Sequence, residues 1–286
     1  MRISSKIKDR ESFTPTENEI IRFIQTNSDQ AVNMTLDELA ETIYVSKSTI
    51  IRFCKKLGYR GHHEMCVELA KELSMFIEND ANLDTSMPLT ASDNARTAAD
   101  KIAAIHYRAV TETHQDLDIQ RISELAAKIR DCRELYIYAF EECVFAAMDF
   151  AMKLRRIGFR VQTAMVSGSE QYIASTQPED TAALLITYTG REAILSQCAQ
   201  VLAAKHIPIY LVTGPFRSRI RNYADASLEI SYYEAEPKTA PFGSETAMRV
   251  VLDMLYALIF QIDYEKNVSQ IRKIYDLRRG IADTVE

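Results

Sequence analysis

Between Tyr44 and His63 the chain carries Lys47, Arg52, Lys55, Lys56 and Arg60, and no aspartate or glutamate. Guanidinium and ammonium groups gathered away from acids attract phosphates, and a nucleic-acid duplex presents phosphates in a regular row. The rest of the chain leans the other way: 34 Lys and Arg stand against 40 Asp and Glu, a formal net charge of −6. A cationic patch in an acidic protein confines DNA binding to one face. The plainer reading of the same residues is a solvated helix face with incidental lysines. The elements that carry the patch decide between the two.

Thr35 is followed three residues later by Glu38, a capping box, and Leu36, Leu39, Ala40 and Ile43 then recur at helical spacing. The pattern breaks at Tyr44-Val45, and Ser46 offers a second N-cap. From there Ile50, Ile51, Phe53, Cys54 and Leu57 make one apolar arc, while Ser48, Thr49, Arg52, Lys55 and Lys56 fall on the opposite one. Helix, tight turn and helix with a polar, cationic outer face is a helix-turn-helix, whose second helix lies in a DNA major groove. Capping, turn and absent acids agree, and that agreement favours DNA over the solvated face.

Upstream, Thr16 and Glu19 form another capping box directly after Pro15, which predicts a first helix to Gln25 with Ile20, Ile21, Phe23 and Ile24 inside. Asn27 to Asn33 reads as a polar connector. Gly58-Tyr59-Arg60-Gly61 ends the recognition helix, and a further helix runs from His62 to Ile77. Residues 1–77 are thus expected as an all-α helix-turn-helix domain. Residues 78–118 read as a linker, polar to Asp93, followed by a bridging helix.

The bulk numbers bound the remainder. A length of 286 residues allows two domains, and 47% hydrophobic with 26% charged residues is globular composition. The N-terminus is polar, with no secretory signal, and the longest apolar run, Val250 to Phe260, is broken by Asp253. That run falls short of the roughly 20 residues a membrane span needs, so no membrane is expected. Five cysteines, odd in number and never spaced CxxC, indicate free thiols in a reducing cytoplasm rather than disulfides or zinc. No cofactor or metal is called for. With only eight glycines, the chain has few places to build loops that cradle phosphate.

From Ile119 the grammar changes. Leu135–Phe140, Phe159–Ala164, Ala182–Thr187, Ile207–Val212 and Ser227–Tyr232 read as strands alternating with helices, and a long helix closes from Ser244 to about Tyr264. This predicts an α/β domain over 119–286: a five-stranded parallel sheet in flavodoxin-type order, covered by helices on both faces. Such sheets bind ligands beyond the strand ends where strand order reverses. Here that point falls at the loops Ala139–Cys143 and Thr187–Glu192.

With both halves in view, the chain resembles the RpiR/MurR family of bacterial transcriptional regulators, which join a helix-turn-helix to a sugar isomerase (SIS) domain. ELAETIYVSKSTIIRFCKKLGYRGHHEM is similar to the family's E-L-A followed by V-S-x-x-T, Ile or Val, x-R-F-x-x-x-L-G, Tyr or Phe, and x-G. The resemblance implies Lys47, Ser48, Thr49 and Arg52 as groove-facing residues, with Arg52 suited to guanine, and Ser46, Lys55, Lys56 and Arg60 on phosphates. It also implies a cytoplasmic homodimer or homotetramer on a palindromic operator, controlled by an effector, a sugar derivative, at the SIS domain. The implied effector contacts are Glu141, Cys143, Thr187, Thr189, Gly190, Glu192 and Ser244.

The SIS half departs from the family pattern. Where the family's first loop is similar to G-x-G-x-S, this chain has Ala139, Glu141 and Cys143; where its third-strand loop is similar to S-x-S-G-x-T, this chain has Thr187, Thr189, Gly190 and Glu192. A like-charge contact at about 4 Å costs on the order of 4 kcal/mol at an effective dielectric of 20, so the added acids bear on a phosphorylated effector. Three readings stay open: a neutral or amine-bearing ligand, a phosphate site moved elsewhere in the cleft, or a domain kept only for dimerisation. The rival class is an aldose–ketose sugar-phosphate isomerase on the same fold. It needs a positioned acid/base pair beside a bound phosphate, and none is evident.

Overall fold

The structure is a computed structural model and describes residues 6–7, 12–77, 83–164 and 168–282. It divides into two compact units, Met1–Leu83 and Asp84–Glu286.

The first unit contains α1 (Pro15–Thr26), α2 (Ser28–Asn33), α3 (Leu36–Thr42), α4 (Lys47–Lys56) and α5 (His62–Ile77). Ile20 and Ile21 of α1, Leu39 of α3, Ile50 and Phe53 of α4 and Met65 of α5 meet in one core. The first capping box is Thr14 with Glu17, not Thr16 with Glu19. Proline is best placed at the first helical position, where its missing N–H costs nothing, so the cap falls on the residue before Pro15. Glu19 instead pairs with Arg22 one turn on. The expected connector Asn27–Asn33 is largely the helix α2, which buries Ala31.

The second unit contains α6 (Ala95–Asp116), α7 (Ile119–Asp131), β1 (Leu135–Ala139), α8 (Cys143–Arg156), β2 (Val161–Ala164), α9 (Glu170–Thr176), β3 (Ala182–Thr187) and α10 (Ala193–Ala204). It continues with β4 (Ile209–Thr213), a 3-10 turn (Arg219–Tyr223), β5 (Ala226–Glu229), α11 (Phe242–Ile262) and α12 (Tyr264–Ala282). Helix α6 is not a bridge: Ala104, Ile105 and Ala109 are buried and it packs along α11. Of the expected linker, residues 78–82 lie outside the described residues. Helices α9 and α12 were not anticipated in the sequence.

All strand pairs are parallel and the order is β2-β1-β3-β4-β5. Every residue of the central β3 is buried, as expected of a strand covered on both faces. Ala183 and Leu185 face α10 in one cluster with Leu195, Cys198 and Leu202. Their neighbours Leu184 and Ile186, equally buried, point to the opposite face by strand periodicity. Helix α8 packs on β1, β2 and β3, and α11 lies across α7 and α8. The strand order reverses between the neighbouring interior strands β1 and β3, so the loops after them open side by side at the carboxyl end of the sheet. Among the described residues no helix is long and apolar enough to cross a membrane.

Candidate functional site

In the first unit, Thr35 and Glu38 cap α3 reciprocally, the hydroxyl accepting from Glu38 N at 3.2 Å and the carboxylate accepting from Thr35 N at 2.7 Å. The chain then turns at Tyr44, whose φ of 54° is left-handed. Ser46 Oγ starts α4 by accepting from Thr49 N at 3.2 Å, and it lies 2.9 Å from Ser48 Oγ and 2.8 Å from Thr49 Oγ1. An Arg52 guanidinium nitrogen donates to Thr49 Oγ1 at 3.2 Å. Ser46, Lys47, Ser48, Arg52, Lys55 and Arg60 are exposed, and Thr49 is half-buried. Ile50, Phe53 and Cys54 hold the opposite face of α4 in the core.

The five cations of this stretch are not equivalent. Lys47 pairs with Asp37 at 2.7 Å across an exposed surface, a contact of little energetic weight. Lys56, although exposed, is engaged within the unit: its ammonium donates to Glu17 at 2.8 Å and to the Ser12 carbonyl at 2.9 Å, 4.8 Å from the Phe13 ring centroid. Expected on a phosphate, Lys56 ties α4 to α1. Among the described residues the side chains of Arg52, Lys55 and Arg60 have no carboxylate partner, although the Arg60 backbone N–H donates to Glu64 at 2.5 Å. His62, at the start of α5, is half-buried with Nε2 3.3 Å from Cys66 Sγ, and burial lowers its pKa.

In the second unit the β3 loop folds onto itself. Thr187 Oγ1 accepts from Gly190 N at 2.8 Å and donates to Glu192 Oε2 at 2.7 Å. Thr189 Oγ1 accepts from Arg191 N at 3.2 Å and donates to Glu192 Oε1 at 3.0 Å. Gly190 is required here: its φ is 66°, and a Cβ would come within 2.4 Å of Ser218 Oγ. Glu141, in the β1 loop, is exposed with φ 51°, a left-handed position that glycine would occupy without strain.

Between these loops and the start of α11 lies a small cleft of about 20 Å³, lined by Glu142, Cys143, Tyr188, Lys238, Ser244 and Glu245 among others. Burial, and then the charge of Glu192, push the Cys143 thiol up to about 12, so it is no nucleophile near neutral pH. Ser244 borders the cleft, but its hydroxyl donates to the buried Glu234 at 2.5 Å, and Glu234 also accepts from Gly243 N at 2.6 Å. Lys238 Nζ stands 5.3 Å from the Tyr188 ring centroid and 3.4 Å from Glu236. The structure thus gathers Cys143, Thr187, Thr189, Gly190, Glu192 and Ser244 around one strand edge and leaves Glu141 at its rim. Among the described residues no group of three or more His, Cys, Asp or Glu is placed to hold a metal ion.

Tyr188, Lys238 and Glu234 escaped the sequence reading. Tyr188 carries a signal, an aromatic inside Thr-x-Thr-Gly. Lys238 and Glu234 lie in an irregular stretch after β5 with no periodicity to read. Tyr44, 96% exposed in the turn before α4, also escaped it, because an aromatic at a pattern break reads as a boundary.

Residues 1–75 match the model of the helix-turn-helix domain of the rpiR family, and residues 128–258 match the SIS domain. A protein of Haemophilus influenzae described as an uncharacterized HTH-type transcriptional regulator is 25% identical over 254 residues, 88% of this chain and 87% of that one. Among solved structures, the Vibrio vulnificus NanR protein complexed with ManNAc-6P is similar with a TM-score of 0.58 and 16% identity, covering 97% of this chain and 98% of its own. The sugar isomerase domain of the RpiR transcription factor from Sphaerobacter thermophilus is similar with a TM-score of 0.55 and 13% identity, covering 62% of this chain and 97% of its own. These two likenesses establish the fold of the sheet domain. The chain thus joins an rpiR-family helix-turn-helix at its start to a SIS domain after it, and a transcriptional regulator is similar to it along most of its length.

Proposed function

We propose that this regulator grips a DNA operator through the exposed face of α4 and that a small sugar-derived effector in the SIS cleft sets the strength of that grip. The observation that carries the DNA half is the exposed row Ser48, Arg52 and Lys55 on a helix whose other face is buried, beside a capped turn. Ser48, Thr49 and Arg52 meet base edges; Ser46, Lys47, Lys55 and Arg60 meet phosphates, and Lys56 braces the helix. Arg52 already has its guanidinium held by Thr49, which favours a two-pronged contact with a guanine. The regulator works as a homodimer or homotetramer in the cytoplasm, and two recognition helices about 34 Å apart, or a multiple of that, would match a palindrome. Phe145, Met148 and Met152, all exposed along one side of α8, support such pairing through the SIS unit.

Catalysis is not part of the proposal. The Cys143 thiol stays protonated, and the Ser244 hydroxyl is held in a buried hydrogen bond to Glu234, itself fixed by Gly243 N. The experiment is a titration of the chain's own upstream DNA with parent protein and Arg52→Ala. The variant should bind that DNA about 1–3 kcal/mol more weakly while binding unrelated DNA almost as the parent does. Equal loss on both DNAs would place Arg52 on a phosphate instead.

A further inference from the structure

Two sets of donors of the kind that hold an anion stand at the cleft of the SIS unit, one in the β3 loop beside its wall and one at Ser244 in the wall, and the chain's own carboxylates fill both. In the first, the Thr187 and Thr189 hydroxyls point their protons at the two oxygens of Glu192, at 2.7 and 3.0 Å. Each hydroxyl also accepts a backbone N–H, from Gly190 and Arg191, so its geometry is fixed from both sides. In the second, Gly243 N and the Ser244 hydroxyl, in the first turn of α11, donate to the two oxygens of Glu234. Glu234 is 2% exposed and cannot swing out into water without unpacking its surroundings. The close fit at Gly243, where a Cβ would lie 2.1 Å from the Tyr232 ring, leaves no slack on that side.

A phosphate entering this cleft would have to displace a carboxylate from hydroxyls that already satisfy it, and would then face that displaced charge. Glu142 and Glu245 on the cleft wall add two more carboxylates against the one ammonium of Lys238, which itself pairs with Glu236. What the wall offers a ligand is acceptors, and acceptors suit hydroxyl and ammonium protons.

We infer that Glu192 is the specificity-determining residue of the cleft: it occupies the threonine cradle as a resident anion, so that the effector is an unphosphorylated sugar, hydroxyl- or ammonium-bearing, and not a sugar phosphate. This rests on the SIS cleft being the effector site. Glu234 plays the same part at α11, as a fixed element of the fold.

Calorimetry on the full chain tests it, with glucosamine, glucosamine 6-phosphate and inorganic phosphate as ligands and Glu192→Ser as the variant. The parent should prefer glucosamine to its 6-phosphate and give no heat with inorganic phosphate. Glu192→Ser, with the cradle emptied, should gain about tenfold or more for both phosphates, which reverses the preference. Glu192→Gln keeps the shape and removes the charge, and should shift the same way by less. The inference is overturned if the parent prefers the 6-phosphate and Thr189→Ala weakens it about tenfold, because the cradle is then open to phosphate. It is also overturned if both Glu192 variants keep the parent's circular dichroism and gain no phosphate binding. Failure of the underlying effector reading shows elsewhere, as operator affinity that no sugar of either kind alters.

Discussion

Glu17 and Lys56 join at 2.8 Å, with Glu17 13% exposed, and their pairing gives the DNA-binding unit a handle on pH. Burial works to raise the Glu17 pKa, but hydrogen bonds from Lys56 and Thr14 outweigh it and hold the carboxyl below its ordinary 4.5. A carboxyl with a lower pKa folded than unfolded takes its proton more readily in the unfolded chain. Its contribution is therefore complete above pH 4.5 and disappears as the pH falls through the lower folded value. Thermal unfolding from about pH 6 down to about pH 3 should show the parent losing more stability than Glu17→Gln. Parallel curves would mean the pair is only a surface contact. The type of each of these residues was plain in the sequence, and so was the cationic stretch. What the sequence could not show is that Lys56 reaches across to Ser12 and Glu17, because no local spacing links positions 39 residues apart.

Among the elements, those with local chemistry of their own were the most legible. The Thr35–Glu38 box, the Ser46 cap and strand Ala182–Thr187 stand where the sequence places them. Short or polar helices were harder: six-residue α2 is below the length at which a helix announces itself, and α12 opens with Tyr264-Glu265-Lys266, which gives no cap to read. The strand-edge loops were legible in position, through the order reversal, yet not in chemistry. That Glu192 closes back on Thr187 and Thr189 depends on the left-handed turn at Gly190. Gly190→Ala should force that turn against Ser218 and cost about 1–3 kcal/mol of stability, read by urea unfolding. An unchanged midpoint would show that the loop relaxes and that the cradle is not set by this glycine.

At the scale of the whole molecule, an acidic chain carries an outward cationic face on which the side chains of Arg52, Lys55 and Arg60 have no acid partner among the described residues. A chain with net charge −6 repels DNA except where such a face is presented, so binding should be both local and strongly dependent on salt. The two units differ in their chemistry: α4 presents donors on its exposed face, and the SIS unit presents a cleft walled by acceptors and an exposed apolar stripe on α8. The most direct test is the affinity of the full chain for its own upstream DNA, measured by fluorescence anisotropy over a series of salt concentrations. Saturable binding whose logarithm falls linearly and steeply with the logarithm of salt, and more gently for Lys55→Ala, is the result expected. Absence of binding at modest salt, or binding that Lys55→Ala and salt leave unchanged, would contradict the assignment of the α4 face to DNA.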